Sequence, residues 1–444
     1  MVHRSETRAI SVSSTRDILL NEHPPSASPW RALRHRNFAL FAAGHGFSLC
    51  GSWMQSLAQA WLVYRLTESP LLLGVTEFLA RAPILVLSLA AGLVADRVPR
   101  YRLMVLTQVL LLLQAATLAA LTLTGFVTVP WILALALLMG LISALEVPTR
   151  QTFMTDLVPP QDIPSAIGLN SSMFNAARIV GPSIAGVLVA ALGEGSCFVI
   201  NALSYLAVLG CLKAMQIAPP PPHPTGNAAS QFHEALTYAR TTPHVRAVLS
   251  AVAVVSIAAM PYATLLPVFA GEVLRIGPAG LGWLMAATGL GALAGALRLA
   301  RRPSVTGLPS SICHAAALFG GSLVLFAASR SLWLSLPALI AIGFAMVSTL
   351  AGSNTLLQSL APNGMRGRVV SLYTTASLGF TVFGSLLGGI AGAWIGAPLT
   401  VALGGVVTLA AAAGLRWALP GFRSDAEFER LPVPSHTVPS RWSK

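Results

Sequence analysis

The sequence predicts an all-α membrane protein whose twelve transmembrane helices form two parallel six-helix repeats. One observation is composition, because 55% of the 444 residues are hydrophobic and only 10% are charged, whereas a soluble domain carries about a quarter charged residues. Another is that apolar runs such as 71–95 and 104–126 reach the roughly 20 residues that cross a bilayer as a helix. The alternation over about 10 residues that marks a membrane β-strand is absent from the sequence.

Apolar runs bounded by charged residues, proline or glycine define the twelve predicted spans. Their ranges are 38–62, 70–94, 103–124, 129–147, 165–191, 195–214, 246–270, 279–298, 309–328, 331–356, 368–391 and 396–416. The polar tail 1–36 lacks the apolar core of a cleaved signal peptide, so we expect it to stay in the cytoplasm. The proline-rich linker 215–245 separates a bundle at 37–214 from a second at 246–416, and a polar tail, 417–444, follows.

The distribution of Lys and Arg supports this topology. Of the 28 basic residues, 23 fall in the tails and in the loops on one predicted side, whereas only Arg65, Arg275 and Arg330 fall on the other. Short cytoplasmic loops carry an excess of Lys and Arg, so both termini are predicted to be cytoplasmic. The net charge of +13 is spread over short loops rather than massed on one polar face, so we expect the lipid bilayer, and no nucleic acid, as a partner.

An internal repeat supports the two bundles. One segment that starts at Leu157 and another that starts at Leu360 align at an offset of 203 residues. The aligned pairs include Pro159 with Pro362, Gly181 with Gly384, and Gly186 with Gly389. Parallel repeats that face a central site are typical of transporters.

The predicted loop between spans two and three contains AGLVADRVPRYRL at 91–103. It resembles the loop signature of the major facilitator superfamily, G-x-x-x-D-R-x-G-R-[RK]-[RK], with Pro99 where many members have glycine. The matching residues are Gly92, Asp96, Arg97, Arg100 and Arg102. The resemblance implies that this loop takes part in gating.

These residues admit different roles. Arg100 and Arg102 are explained equally well as charges that set the topology. An acid contributes little to topology, so Asp96 requires a partner, which by the resemblance is the amino-terminal end of span eleven. Arg366 and Arg368 lie there, and we expect the contact to form only when the cytoplasmic end is closed.

Span five resembles the pattern G-x8-G-x3-G-P-x2-G-G of the antiporter branches of this superfamily. The corresponding residues are Gly168, Ala177, Gly181, Pro182, Ala185 and Gly186. Small residues at this spacing let helices approach closely, so ordinary helix packing is the alternative explanation. Segments 34–74, 148–186 and 366–389 look like the subgroup that contains the bacterial enterobactin exporter, and the resemblance covers roughly residues 31–416. It implies export of a siderophore-like or drug-like compound across a bacterial inner membrane.

Polar residues recur along span one at steps of three and four. They are His45, Ser48, Ser52, Gln55 and Gln59, and this spacing places them on one face of a helix. Such a face should avoid lipid, so it either lines a cavity or hydrogen-bonds a neighbouring helix.

Ionisable residues inside a span normally face the interior and find partners, because each costs at least about 2.5–3.5 kcal/mol in the bilayer. Glu77 and Arg81 lie one turn apart in span two, and they form either a structural ion pair or a proton-coupling site. Arg178 in span five has no acid on its own helix, so it is the better candidate for binding an anionic oxygen. We expect the cavity to be completed by Asn170, Phe174, Asn354 and Tyr373.

The sequence therefore predicts a secondary exporter of a small amphipathic compound that works by proton antiport and alternating access. An importer of the same fold and a receptor or scaffold that does not transport are the alternatives. The four cysteines lie in apolar segments without C-x-x-C spacing, so we expect no metal site. The sequence has no Walker motif and no cluster of catalytic residues, so we expect neither a cofactor nor an enzyme.

Overall fold

The computed structural model describes residues 30–216, 237–302, 304–362 and 365–418, and it describes the backbone alone for 88–97 and 418. All regular secondary structure in these residues is helical. The long helices are α1 (Arg36–Thr67), α2 (Pro70–Arg97), α3 (Arg100–Leu123), α4 (Val129–Asp156), α5 (Ile163–Leu192), α6 (Glu194–Ala214), α7 (Pro243–Val273), α8 (Gly277–Ala300), α9 (Leu308–Ala328), α10 (Leu332–Leu360), α11 (Arg366–Ile395) and α12 (Ala397–Ala418).

Eleven of these helices, α2 to α12, are long and apolar enough to cross a membrane. Helix α1 has 32 residues and is long enough, but it is not among the eleven because its stripe of polar residues lowers its hydropathy. The structure thus confirms a multi-pass helical protein with eleven candidate spans in its described part.

The largest difference from the predicted spans is in α4, which runs to Asp156 instead of ending at 147. Pro148 lies inside this helix, whereas the charges and proline of this region predict a break in the span. Proline is tolerated in membrane helices when neighbouring groups satisfy the freed carbonyl. The extension places Arg150 in α4, one turn after Glu146.

Two helices are irregular. Helix α7 is interrupted before Pro261 and ends in a π-helical turn, Phe269–Val273. Helix α11 contains a π-helical turn at Thr375–Gly379. Proline cannot donate the backbone hydrogen bond of a helix, which explains the break in α7, and π turns widen the helix locally.

The helices pack in a pattern that recurs after six helices. Helix α1 packs on α5 and α6, α2 on α4, and α3 on both α4 and α6. In the same way, α7 packs on α11 and α12, α8 on α10, and α9 on both α10 and α12. The helices thus form a first group, α1 to α6, and a second group, α7 to α12. The pairs α2–α11 and α5–α8 join the two groups.

Two glycine crossings bring the groups together. A Cβ atom on Gly74 of α2 would lie 2.7 Å from the Ser385 carbonyl oxygen and 2.9 Å from Cα of Gly389 on α11. A Cβ atom on Gly186 of α5 would lie 3.0 Å from Cα of Gly282 on α8. Only glycine allows backbones to approach this closely, as at small-residue crossings in membranes.

Both crossings lie toward the end of the bundle at which α2 and α8 begin. We call this the arginine-poor end, and the opposite end, where α1 begins, the arginine-rich end. A single buried apolar cluster joins the two groups at the arginine-poor end, where Leu62 of α1 and Phe269 of α7 belong to the same cluster. At the arginine-rich end, Phe38 and Val248 belong to separate clusters, one in each group. No apolar cluster of the described residues closes the bundle there.

The crossing at Gly282 predicts a steric effect that an exposed glycine should not show. Gly282→Ala adds a Cβ atom 2.6 Å from the Pro182 carbonyl oxygen, and overpacking of this kind costs about 1–3 kcal/mol. We expect a lower midpoint of thermal unfolding for the purified variant. Gly210→Ala is the control, since no atom lies within 4 Å of its added Cβ. Equal midpoints for the two variants would refute the close crossing.

Candidate functional site

A cavity of about 790 Å³ lies between the two groups of helices. Its volume falls in the range of about 300–1,000 Å³ that is usual for small-molecule sites. Helices of both groups contribute, chiefly α1, α2, α4 and α5 from the first and α7, α8, α10 and α11 from the second. The cavity is therefore placed where motion of one group against the other would reshape it.

The polar stripe of α1 faces this cavity. All five of its residues, His45, Ser48, Ser52, Gln55 and Gln59, contribute to the lining. Gln55 is also held by neighbouring helices, because it accepts a hydrogen bond from Asn201 (2.8 Å) and donates one to Gln114 (3.1 Å). Gln55 therefore both lines the cavity and hydrogen-bonds neighbouring helices.

Glu77 and Arg81 form an ion pair along α2, and both line the cavity. About a third of the Glu77 side chain and half of the Arg81 side chain remain exposed. A substrate that enters the cavity can therefore reach either partner.

Arg178 lies at the boundary between the two groups. Its Cζ is 5.9 Å from the centroid of the Trp53 ring, and its Nη2 is 3.9 Å from Sδ of Met346 on α10. Phe174, one turn earlier on α5, packs against Trp53 at a centroid distance of 5.7 Å. Arg178 forms no salt bridge with any described residue, so its charge is neutralised by no carboxylate in the described part.

A second acid–base cluster lies in the cavity, and its arginine, Arg150, was not expected from the sequence. Nε of Arg150 donates to Glu146 over 2.7 Å, and its Nη1 lies 3.4 Å from Nε2 of His45. A guanidinium can only donate, so Nε2 of His45 accepts in this contact. All three line the cavity. An unbroken helical pattern through Pro148 was the signal that could have placed Arg150 in the same helix as Glu146.

The contribution of the second group is only partly as expected. Tyr373 lines the cavity and donates a hydrogen bond to the Leu350 carbonyl (2.9 Å). Asn170 and Asn354 do not belong to the lining, and Asn354 instead accepts a hydrogen bond from Gln358. Tyr262 and Thr288, which were not expected, do line it.

The cavity has an uneven charge. Its lining includes three arginines, Arg81, Arg150 and Arg178, and two glutamates, Glu77 and Glu146. Each glutamate pairs with an arginine four residues later on its own helix. One positive charge is left in excess among these residues, so the field of the cavity favours a negatively charged group.

The expected gating residues lie at the arginine-rich end, where α2 ends and α11 begins. The side chains of Gly92, Asp96 and Arg97 lie outside the described residues. Nη1 of Arg100 donates to both carboxylate oxygens of Asp156 at the end of α4, at 2.6 and 2.8 Å, so Arg100 does more than set the topology.

The start of α11 carries the other two expected gating residues. Arg366 is its first residue and is exposed. Arg368 donates to Sδ of Met365 over 3.4 Å. Both arginines thus lie in the first turn of α11.

The small residues of α5 pack closely on two neighbours. A Cβ atom on Gly181 would lie 2.7 Å from Cβ of Trp53 on α1, and Gly186 forms the crossing with α8. Ala177, Pro182 and Ala185 are buried between these contacts. Gly168, by contrast, has open space where its Cβ would be. The central part of the motif thus sets the approach of α5 to both groups.

The sequence matches one protein family over most of its length, and it is similar to known transporters. A family model described as a transmembrane secretion effector matches residues 27–441. The multidrug efflux pump Tap of Mycolicibacterium fortuitum is 26% identical over 84% of this chain and 93% of its own. The staphyloferrin A transporter of Staphylococcus aureus is 34% identical over 36% of this chain, and the match spans only 41% of that transporter.

Solved structures share the fold at low sequence identity. A bacterial homologue of the human lysosomal transporter Spinster, in an inward-facing and occupied conformation, superposes with a TM-score of 0.67 at 14% identity, covering 86% of this chain and 97% of its own. A bacterial homologue of the iron transporter ferroportin, in an inward-facing state, gives 0.61 at 17% identity, covering 85% and 99%. These similarities concern the fold alone.

The hydrogen bonds of Gln55 predict a stability difference within the polar stripe. Gln55→Ala leaves the buried Gln114 and Asn201 without these partners, which costs about 1–3 kcal/mol. Gln59→Ala removes a cavity-lining amide that has no hydrogen bond to a described side chain. We expect thermal unfolding of the first variant at a clearly lower temperature than that of the second. The same midpoint for both would show that Gln55 does not link the helices.

Proposed function

Because the chain belongs to the transmembrane secretion effector family of major facilitator transporters, we propose that it exports a small, negatively charged amphipathic compound in exchange for protons. It is a multi-pass membrane transporter whose relatives include an efflux pump and a siderophore transporter. The observation that carries the more specific proposal is Arg178, a cavity arginine at the boundary of the two groups without a carboxylate partner among the described residues. Direction, substrate and coupling are the parts that experiments must test.

The proposed architecture has α1 as the twelfth span and two parallel repeats at 37–214 and 246–416. The recurring packing of helices six apart supports it. So does Gly384, which approaches α7 as Gly181 approaches α1. Glu68 and Arg275, which follow α1 and α7, both adopt a positive φ (47° and 54°), a conformation that is uncommon outside glycine. Equivalent turns at equivalent places favour a duplicated fold.

We place the arginine-rich end in the cytoplasm, with both termini there, in a bacterial inner membrane. The excess of basic residues in the loops at that end supports this orientation. With this orientation the cavity opens inward, since the shared apolar cluster lies at the opposite end. An exporter must load its substrate from the cytoplasm, and this conformation is the one that can do so.

The proposed substrate class is based on the side chains that line the central cavity. Arg178 offers planar donors that suit a carboxylate or another anionic oxygen, and Trp53 and Phe174 offer aromatic surface beside it. A siderophore-like or drug-like compound with an acidic group and an apolar or aromatic part matches this combination. The names of the relatives that match this chain, an efflux pump and a siderophore transporter, point to the same classes.

Coupling is proposed to rest on competition for Arg81. In the described conformation Arg81 holds Glu77 in an ion pair. A substrate anion that engages Arg81 would separate it from Glu77. For antiport, Glu77 would then take up a proton on the outer side once the substrate has left, and would release it to the cytoplasm before the next substrate binds. Glu146 with His45 is the second candidate for the carrier.

The gate is proposed to be a contact between Asp96 and the amino-terminal end of α11. The first backbone N–H groups of a helix, together with Arg366 and Arg368, favour an anion. The contact would form only when the cytoplasmic end closes, so it would stabilise the outward-open state.

We predict that substitution of Arg178 lowers the affinity for substrate, by an amount that depends on the shape of the new side chain. Loss of a charge-assisted hydrogen bond costs about 1.5–3 kcal/mol, so Arg178→Gln should weaken substrate binding roughly 10-fold to 100-fold. Arg178→Lys keeps the charge but not the planar fork, and we expect an intermediate affinity. The measurement is binding of an exported compound, first identified by growth protection of efflux-deficient cells. Arg240→Gln, an exposed change outside the cavity, is the control.

A substrate bound equally well by wild type and Arg178→Gln would remove Arg178 from the site. Transport could still occur in that case, so this result would reject Arg178 as the residue that binds the anion without rejecting transport.

Glu77 predicts a change in coupling. Glu77→Gln cannot exchange a proton, so we expect everted membrane vesicles to lose uptake driven by the pH gradient while substrate exchange at equal pH remains measurable. Glu68→Gln, the same chemical change on an exposed turn outside the cavity, should transport normally. Normal proton-driven transport by a well-expressed Glu77→Gln protein would exclude Glu77 as the carrier. Substrate uptake in right-side-out rather than everted vesicles would indicate an importer.

A further inference from the structure

A second cavity, of about 350 Å³, lies at the arginine-rich end among α8, α9 and α10. It is separate from the central cavity and shares none of its lining residues. Its polar lining consists of Arg298, Arg302, Thr306, Ser310, Ser311 and His314. The set contains donors and hydroxyl groups but no carboxylate.

No described acidic residue lies near this cavity to neutralise the charge of its arginines. Within the described residues of 237–418, the only acidic residue is Glu272, which lies at the arginine-poor end. Arg298 stacks over the Phe344 ring at 5.5 Å, and Arg302 donates to backbone carbonyls of its own loop. Neither arginine forms a salt bridge with a described residue. An anion is the partner that this arrangement lacks among the described residues.

The position of the cavity identifies the source of that anion. Leu318 of α9 contributes to the lining, is exposed, and leads to the exposed Leu325 two turns further along the same face. Ile340 of α10 is exposed as well. In a membrane these side chains face hydrocarbon, so the polar cavity opens beside a surface that suits acyl chains.

We infer that this cavity binds the phosphate-bearing headgroup of an anionic phospholipid, with the acyl chains along Leu318 and Leu325. Arg298 and Arg302 would donate to phosphate oxygens, and the hydroxyl groups of Ser310 and Ser311 would complete the shell. Basic pockets between transmembrane helices on the cytoplasmic side are suited to such headgroups. The inference is independent of the substrate and of the direction of transport.

The test is native mass spectrometry of the purified full-length protein titrated with dioleoyl phosphatidylglycerol. We expect one lipid to bind more tightly than the rest, and Arg298→Gln and Arg302→Gln each to weaken its binding about fivefold. Arg301→Gln is the matched control, because Arg301 is the exposed neighbour that does not line the cavity. It should leave the affinity unchanged, and Arg298→Lys, which keeps the charge and guards against a folding artefact, should retain most of it.

Three results would overturn the inference. An equal loss in the Arg301→Gln protein would show diffuse attraction to a basic surface. Equal affinity for phosphatidylcholine would show that net charge is not recognised. Displacement of the lipid by glycerol phosphate at equal phosphate concentration would show a site for a soluble phosphate instead.

Discussion

The approach of α2 to α11 and of α5 to α8 at paired glycines is the contact on which the rest of the structure depends. At Gly74 with Gly389, and at Gly186 with Gly282, a single Cβ atom would collide with the facing backbone. Lipid gives helices no hydrophobic reason to associate, so close packing of small residues has to supply the attraction. The two crossings join the groups near the arginine-poor end and leave the other end apart, which is what creates the cavity.

The charges in the cavity are costly and are arranged to limit that cost. Each ionised side chain at membrane depth costs at least about 2.5–3.5 kcal/mol, and pairing within one helix, as in Glu77–Arg81 and Glu146–Arg150, reduces it without tying the two groups together. Arg178 is different because it reaches Met346 in the other group. In the described conformation this arginine contacts Trp53 and Met346, and we propose that the substrate supplies the anion.

Much of this could be predicted from the sequence, and the failures have physical reasons. The spacing of the α1 stripe identified five residues of the cavity wall, and the loop and span-five motifs identified the superfamily that the family match confirms. Asn170 and Asn354 do not line the cavity, although each continues a helix face that does, with Arg178 and with Leu350 respectively. Sequence spacing shows which residues share a face but not how far along that face the cavity extends. Arg150 was missed because Pro148 suggested that the span ends at 147. The span-five motif identified Gly181 and Gly186. Gly282 packs against Gly186, but no pattern in the sequence indicates that it contacts α5.

In the proposed mechanism the two groups rock about the cavity, so that one end closes as the other opens. Pulsed electron paramagnetic resonance can test it with two pairs of spin labels on α4 and α10, all at exposed positions. Thr152 and Thr355 report on the arginine-rich end, and Trp131 and Leu334 on the arginine-poor end. Over a pH series in lipid nanodiscs we expect the two inter-label distances to change in opposite senses, with one shortening as the other lengthens. Two distances that change in the same sense, or that both stay constant, would contradict it.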